Sequence, residues 1–290
     1  MAGLKDIRSR IASVKSTRQI TSAMKMVSAA KLKKAQDKVT QIRPYANKLK
    51  DVLSEVSSGL DKEHKGAYNV QRPVENALIV LLTSNRGLCG GFNANICKKA
   101  KQHITDDFAE LPKENIKFVC IGKKANEYVK KLGYEIVKSG NELFDDVSFE
   151  NSLAYSKYLM DEFKNENYDK IDIIYNSFKN AAVHNQLIET FLPMQIETEE
   201  QNNPSEYIFE PGMKDIMEEM IPKSLRIQFF KAILDSNAAE HGARMTAMHQ
   251  ATDNATELIK DLTLIYNKAR QAAITNEILE ITSGAEALNG

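Results

Sequence analysis

One loop in the sequence has the residue types that could hold a phosphate group. It is Ser84-Asn-Arg-Gly-Leu-Cys-Gly-Gly-Phe92, between an apolar run and a predicted helix. Glycines in such a loop let backbone N–H groups converge on an anion at a helix N-terminus. The loop lacks the Gly-Lys-Ser/Thr of a P-loop, and its spacing of Gly87, Gly90 and Gly91 differs from GxGxxG. The alternative is a tight turn that needs positive φ angles. A nucleotide-binding α/β enzyme therefore stays open as a secondary hypothesis.

The other reactive side chains form no catalytic pattern. The five histidines are scattered, and His241 and His249 are eight residues apart on one predicted helix, twice the spacing that lets a helix chelate one ion. The three cysteines, Cys89, Cys97 and Cys120, include no CxxC pair. They are expected to be reduced thiols rather than a disulfide or a zinc site. We therefore expect no cofactor, no metal and no catalytic residue, which favours a scaffolding or mechanical protein over an enzyme.

Residues 75–195 alternate between strand-like and helix-like segments. The predicted strands are Asn76–Thr83, Ile116–Ile121, Tyr134–Val137, Ile171–Phe178 and Gln186–Leu192, the last one antiparallel to its neighbour. The predicted helices are residues 93–103 with Asn93 or Asn95 as N-cap, Lys123–Leu132 closed by Gly133, and Phe149–Asn165. This alternation predicts an α/β fold with a Rossmann-like, open and mainly parallel sheet.

The two ends of the chain, residues 1–58 and 213–290, are predicted to be long helices. From Ile227 to Leu279, apolar side chains recur at alternating spacings of three and four residues, through Leu258, Leu262 and Ile265. Such a heptad seam is typical of a left-handed supercoil, so the two ends are expected to form a long antiparallel coiled coil.

Two prolines and one stretch with polar heptad positions predict departures from a regular coiled coil. Pro44 predicts a kink or short break near Arg43, and Pro222 is expected to open the long helix after a short one at Met213–Met220. Between residues 18 and 28 the heptad positions are polar, and the apolar face shifts to Ile20, Met24 and Val27. A local change of register is expected there.

Polar residues also occupy seam positions, namely Arg18, Lys25, Asn237, His241, Arg244 and Asn276. In one interpretation, their charged groups reach water while their stems pack in the seam. In the other, these turns face another protein. The spacing alone does not decide between the two.

Charge is balanced over the 290 residues but is unevenly distributed. Residues 1–58 carry 13 Lys/Arg against 4 Asp/Glu, a net charge of +9. Such a helix could meet an acidic protein, DNA or an anionic membrane, so a coiled-coil adaptor is a further alternative. The longest apolar runs are too short for a transmembrane helix, and the N-terminus lacks the apolar region of a signal peptide.

Three separated segments resemble one family. Residues 1–36, MAGLKDIRSRIASVKSTRQITSAMKMVSAAKLKKAQ, are similar to the N-terminus of the gamma subunit of bacterial F-type ATP synthases. The segment TSNRGLCGGFNANI matches that family's central region, and GARMTAMHQATDNATELIKDLTLIYNKARQAAITNEILEITSGAEAL matches its C-terminus. Together the matches span essentially the whole chain.

The resemblance implies a non-catalytic, central-stalk rotor subunit. In this family the coiled coil stands inside a ring of three alpha and three beta subunits, and the globular foot sits with epsilon on the c-ring of Fo. Rotation driven by the proton gradient is thereby coupled to ATP synthesis or hydrolysis at the beta subunits. The resemblance also implies one copy per complex, no contact with nucleic acid, and a peripheral location at the cytoplasmic face of the cell inner membrane.

The resemblance assigns partner contacts to individual residues. Met24 corresponds to the methionine that faces an acidic beta segment, although Lys25 follows it where other members carry an acid. Arg244 corresponds to an arginine that meets a beta loop. The polar residues expected to hold loops of the alpha and beta subunits are Gln271, Thr275 and Glu277. Those expected near the c-ring are Tyr207 and Glu210.

Overall fold

The computed structural model describes residues 3–58, 67–194 and 213–289, with side chains for 3–53, 67–194 and 218–285. Its helices are α1 Leu4–Ser58, α2 Phe92–Asp107, α3 Lys123–Leu132, α4 Phe149–Lys164 and α5 Met213–Asn289. Its strands are β1 Ala77–Leu82, β2 Ile116–Ile121, β3 Glu135–Ser139, β4 Lys170–Phe178 and β5 His184–Leu192. The predicted combination of an α/β sheet with long terminal helices is confirmed.

The five strands form one sheet in the order β3-β2-β1-β4-β5. All pairings are parallel except β4–β5, which is antiparallel as predicted. Every side chain of β1 is buried, because helices cover both faces of the sheet and leave no face for water. On one face the apolar core includes α2 and α3, and on the other it includes α4 and part of α5.

Of the helix-end predictions, the C-terminal one for α3 is correct and the N-terminal one for α2 is wrong. Gly133, with φ of +72°, closes α3 as predicted. The predicted side-chain N-cap of α2 is wrong: Gly91 is at the cap position, and no side chain caps the helix. The Asn93 side chain instead accepts a hydrogen bond from the Ser84 backbone N–H at 3.0 Å. A competing partner in the preceding loop thus overrides the capping preference.

Neither proline interrupts its helix. α1 continues through Pro44 and α5 through Pro222, so a break near Arg43 and the separate helix at Met213–Met220 are wrong, while the alternative of a kink near Arg43 stays a prediction. Proline removes one N–H, which leaves the carbonyl four residues earlier without its helical donor. Here those carbonyls belong to Thr40 and Glu218, two exposed residues, so water can replace the missing donor.

The chain divides into two compact units, one of residues 1–28 and 245–290 and the other of residues 29–244. In the larger unit, Arg43 of α1 donates to a carboxylate oxygen of Asp235 at 2.9 Å and to the carbonyl of Phe178 at 2.6 Å. Further back along α1, Lys31 lies near Glu240, which is further along α5. The two helices are therefore antiparallel. The division of the sequence at residues 58, 75, 195 and 213 stays a prediction.

In the smaller unit, α1 keeps one heptad register throughout. Buried or half-buried side chains occupy every seam position, namely Leu4, Ile7, Ile11, Val14, Arg18, Thr21, Lys25 and Ser28, and beside the seam Ser22 and Met24 are also half-buried. The predicted change of register is wrong, because Ile20 and Val27 are each 57% exposed. The small polar residues are accommodated by pairing: the hydroxyl of Thr252 donates to that of Thr21 at 2.9 Å. Such a polar contact fixes the register of the two helices.

The register of α5 matches the prediction at Ala255, Leu262 and Ala269, which are buried or half-buried, but differs between them. The half-buried seam passes through Ile259 and Tyr266, whereas Leu258 and Ile265 are 38% and 49% exposed. The seam ends at Ala269, and all residues from 270 to 285 are exposed. Asn276 and Leu279 are therefore not seam residues within the described chain. Ala269 and Leu4 are equally far from the Thr252–Thr21 contact, so α5 extends beyond the start of α1.

Gly122, between β2 and α3, is the most constrained glycine. Its φ is +103°, and an added Cβ would lie 2.3 Å from the carbonyl oxygen of Thr83. Gly122→Ala is expected to cost about 3 kcal/mol or more, because strain adds to a backbone clash. The control is Gly87→Ala, since nothing lies within 4 Å of a Cβ there. Urea denaturation of both variants tests this, and equal stabilities would contradict it.

Candidate functional site

The Ser84–Phe92 loop is organised by hydrogen bonds within the chain. The Ser84 hydroxyl donates to the carbonyl of Arg86 at 2.6 Å. The Asn93 amide contacts the Cys89 sulfur at 3.2 Å, and the Phe92 N–H donates to the Cys89 carbonyl. The tight-turn interpretation is supported, because both Leu88 and Gly90 have positive φ angles.

The N-terminus of α3 is also satisfied by this loop. The N–H of Lys123 donates to the Asn85 side chain at 3.1 Å, and that of Ala125 donates to the Thr83 hydroxyl at 2.7 Å. The N–H of Lys124 donates to the Ser84 carbonyl at 3.2 Å. A phosphate at this helix N-terminus would have to displace these partners.

Arg244 of α5 binds the outer carbonyls of the loop. Its guanidinium donates to the carbonyl of Arg86 at 3.0 Å and to that of Gly87 at 3.3 Å. Glu240, one helical turn earlier, completes an ion pair with it at 2.7 Å, and both side chains are about nine-tenths buried. Arg244 thus fastens α5 to the loop. The expected contact of Arg244 with a beta loop stays a prediction.

Helix α5 covers the edge of the sheet where open α/β proteins bind ligands. That site lies beyond the carboxyl ends of neighbouring strands whose connections run in opposite directions, here β1 and β4. Arg244 occupies the loop after β1. After β4, a Cβ at Gly242 would lie 3.0 Å from the Ala181 carbonyl oxygen. This close approach accounts for a glycine inside α5.

Burial controls the charges along this part of α5. Together with the nearby cations of Arg244 and Lys31, it lowers the pKa of His241 to about 4. Burial also raises the pKa of Glu240 and of Asp235, against the opposing effects of Arg244 and Arg43 respectively. Each buried carboxylate therefore has a guanidinium as its compensating partner.

A second polar cluster lies between α2 and β4. The His103 ring contacts carboxylate oxygens of Asp172 at 2.8 Å and of Asp107 at 2.5 Å, and Lys170 lies 3.4 Å from Asp172. His103 and Asp172 are almost fully buried. The cluster therefore joins a helix to the sheet rather than forming an active site.

Over the described residues, no three His, Cys, Asp or Glu side chains are arranged to hold a metal ion. The three cysteines are buried and unpaired, and burial raises the pKa of Cys97 and Cys120 to about 12. Among the helices of the same ranges, none combines the length and apolarity needed to cross a bilayer.

The remaining predicted contact residues lie in different environments. Met24 is half-buried beside the α1 seam. Gln271, Thr275 and Glu277 are all exposed, on the part of α5 beyond the seam. The structure thus brings the last three together on one helix. Tyr207 and Glu210 lie outside the described residues.

Comparison with known proteins was made for the whole chain. The sequence model of the ATP synthase family matches residues 3–288. The ATP synthase gamma chain of Christiangramia forsetii is 55% identical and that of Flavobacterium johnsoniae 54%, and each alignment covers all of both chains. A solved chain of the Euglena gracilis mitochondrial ATP synthase, from its OSCP/F1/c-ring structure, superposes with a TM-score of 0.71 at 24% identity. It covers 98% of this chain and 94% of its own length.

Paired terminal helices, together with an α/β sheet whose ligand edge is closed by the chain itself, define a class of protein that presents helices to partners. The full-length relatives make the assignment specific. The chain belongs to the family of ATP synthase gamma chains.

Sequence reasoning missed Asp235 and Glu240. The spacing of Glu240 and Arg244 is a recognised signal for a helical ion pair, so this contact was detectable. The spacing does not show that the pair is buried. Arg43 and Asp235 are far apart in sequence, and no local pattern links them.

The buried pair gives a stability prediction. Arg244→Met is expected to destabilise the chain by about 3–5 kcal/mol, because it leaves Glu240 buried without its partner. The double variant Arg244→Met with Glu240→Gln should recover part of this loss, since it removes the unpaired charge. Arg270→Met, at an exposed position of α5, is the matched control. Urea denaturation measures all three, and a single variant as stable as the wild type contradicts the argument.

His241 gives a pH prediction. Because its folded pKa is about 4, the unfolded chain takes up a proton first as pH falls below about 6.5. His241 therefore lowers the free energy of unfolding as the pH falls from about 6.5 to about 4, by at most on the order of 3 kcal/mol. His241→Asn should make the free energy of unfolding less dependent on pH in that window. Urea denaturation from pH 7 to 4 tests this, and identical profiles for both proteins would count against it.

Proposed function

We propose that this chain is the rotor shaft at the centre of an ATP synthase, and that it makes and breaks no covalent bond itself. Its proposed partners are a ring of three alpha and three beta subunits around the helices, an epsilon subunit, and the c-ring of Fo. One copy serves each complex. Through these partners the chain is held peripherally at the cytoplasmic face of the inner membrane, and it contacts no nucleic acid.

One observation supports this proposal most directly. The part of α5 beyond the seam has no packing partner within the described chain, yet it carries large apolar side chains. Ile274, Ile278, Leu279 and Ile281 are between 49% and 66% exposed. A single helix that is apolar on several sides is typical of one enclosed by other chains. A surrounding ring would supply that enclosure.

The polar contact residues fit the same enclosure. Gln271, Thr275 and Ile278 share one face, because they are spaced by four and then three residues. A partner on this face would meet hydrogen-bonding groups and an apolar side chain together. Glu277 presents a charge on another side of the helix. Such a helix offers a different surface to each subunit around it.

The differences between the faces of α5 would couple rotation to the conformations of the surrounding subunits. A rotating shaft changes the state of a neighbour only if it contacts that neighbour's alternative conformations differently. Each turn would present a new face to each beta subunit and shift its conformational equilibrium in sequence. Met24 would contribute on α1, where cations of the +9 segment have an acidic beta segment as their proposed partner.

The first test is assembly and rotation. The chain, produced together with alpha, beta and epsilon, should purify as one copy per three alpha and three beta subunits, counted by native mass spectrometry. A bead attached through a cysteine replacing the exposed Lys131 should turn when ATP is added to the immobilised ring. Failure to co-purify, or a stationary bead on an active ring, would refute the proposal.

The second test concerns the contact residues. Gln271→Leu and Glu277→Gln should each lower ATP synthesis driven by a proton gradient several-fold, because a loop contact is lost. The stability of the chain should be unchanged, since both positions are exposed. Glu110→Gln, at an exposed position of the α/β sheet region, is the matched control for Glu277. Wild-type synthesis rates in both variants would remove these assignments.

A further inference from the structure

A cavity of about 510 Å³ lies in the larger unit between α1, the start of α4 and α5. Pockets that hold small organic ligands usually have volumes of about 300–1,000 Å³. Helix α1 lines this cavity from Lys38 to Tyr45, α5 lines it with Phe230 and Leu234, and residues 146–150 form the third wall. The function proposed above makes no use of this cavity, so its shape and charge require a separate explanation.

The walls of the cavity are held in place by contacts within the chain. The ammonium group of Lys38 donates to the carbonyl of Val147 at 2.7 Å, which ties α1 to the loop before α4. Further along α1, Arg43 ties the same helix to α5 at 2.9 Å. The rings of Phe149 and Phe230 meet edge to face with their centroids 5.5 Å apart, which joins α4 to α5. The cavity is therefore preformed, and this lowers the entropic cost of binding a ligand.

The lining of the cavity is apolar and largely aromatic. Phe149, Phe230 and Tyr45 contribute aromatic rings, and Ile42 and Leu234 add aliphatic surface. The Tyr45 side chain is 44% exposed, so it lies at the mouth of the cavity. Aromatic rings pack against the apolar body of a ligand, and their faces also attract cations. The lining thus suits an apolar ligand that carries a positive charge.

The charged side chains at the rim are mainly acidic. Asp146 and Glu150 are exposed carboxylates, whereas Lys38 is the one cation that lines the cavity in the described part of the chain. The Asp146 carboxylate accepts one hydrogen bond, from the Asn151 amide at 3.2 Å. Among the residues that the structure describes, Glu150 has no hydrogen-bond or ion-pair partner. Both carboxylates therefore keep acceptor sites for a donor in the ligand.

We propose that this cavity binds a small organic amine, with its apolar body against Phe149 and Phe230 and its protonated nitrogen at Glu150 and Asp146. The nitrogen donates hydrogen bonds to the carboxylates. An anionic ligand would instead be repelled by both carboxylates, and Lys38 alone would attract it. Because the walls belong to α1, α4 and α5, the bound amine holds three helices together and stabilises the folded chain. This inference does not depend on the proposed rotor function.

The test compares phenylpropylammonium, phenylpropanol and phenylpropanoate, which share one body and differ in charge. Ligand-observed NMR with the full chain at neutral pH should give a Kd of about 1 mM for the ammonium ion and roughly threefold weaker binding for the other two. Glu150→Gln should weaken binding of the ammonium ion by about twofold to fivefold and leave phenylpropanol unaffected. Lys38→Gln should tighten it by a similar factor, because a like charge is removed. The control is Glu110→Gln, which removes an exposed carboxylate outside the cavity.

Each other outcome overturns the proposal. Tighter binding of phenylpropanoate, or equal affinities for the three compounds, would show that the cavity does not select a cation. Wild-type affinity in Glu150→Gln, or an equal loss in Glu110→Gln, would place any binding elsewhere. No binding of the ammonium ion at about ten times the expected Kd would remove the site. Urea denaturation supplies a second measurement: the variants should unfold at the wild-type midpoint, because the substituted side chains are exposed, and the amine should raise the wild-type midpoint.

Discussion

The structure of the larger unit depends on the buried ion pair between Glu240 and Arg244. Burying two charges costs several kcal/mol per ion unless geometry and additional hydrogen bonds compensate. Here the compensation comes from the backbone carbonyls of Arg86 and Gly87, which complete the coordination of the guanidinium. The guanidinium is therefore buried with all of these partners only when the loop after β1 is folded against α5. Sheet, loop and helix depend on one another through a single arginine.

The same loop lies at the edge where a Rossmann-like sheet usually binds ligands. The loop after β1 directs Thr83, Ser84 and Asn85 to the N-terminus of α3, and it directs two carbonyls to Arg244. The N–H groups of Lys123, Lys124 and Ala125, which could otherwise bind a phosphate, are thereby occupied. The loop after β1 thus fastens α3 and α5 to the sheet.

The sequence was informative where a single signal controlled the outcome. Apolar runs with helices on both sides predicted β2 at its observed bounds, and Gly133 marked the end of α3 correctly. It was misleading where two signals competed. Pro44 and Pro222 stay inside helices because an exposed carbonyl can turn to water. The Asn93 side chain accepts a hydrogen bond from the Ser84 backbone N–H instead of capping α2. The burial of Glu240 and Asp235 depends on residues far away in sequence, and no local pattern contains it.

The heptad register of α5 is another feature that the sequence alone did not decide, and it bears on function. Two apolar stripes overlap on this helix, one through Leu258 and Ile265 and the other through Ile259 and Tyr266. Periodicity alone cannot rank them, because both have heptad spacing. The contact between Thr21 and Thr252 selects the second stripe for α1. The first stripe then stays exposed, as do Ile20 and Val27 on α1. These exposed apolar side chains therefore indicate that the helices make a second set of apolar contacts. In the proposed function the surrounding subunits would supply those contacts, because the pairing within the chain uses the stripe through Ile259 and Tyr266.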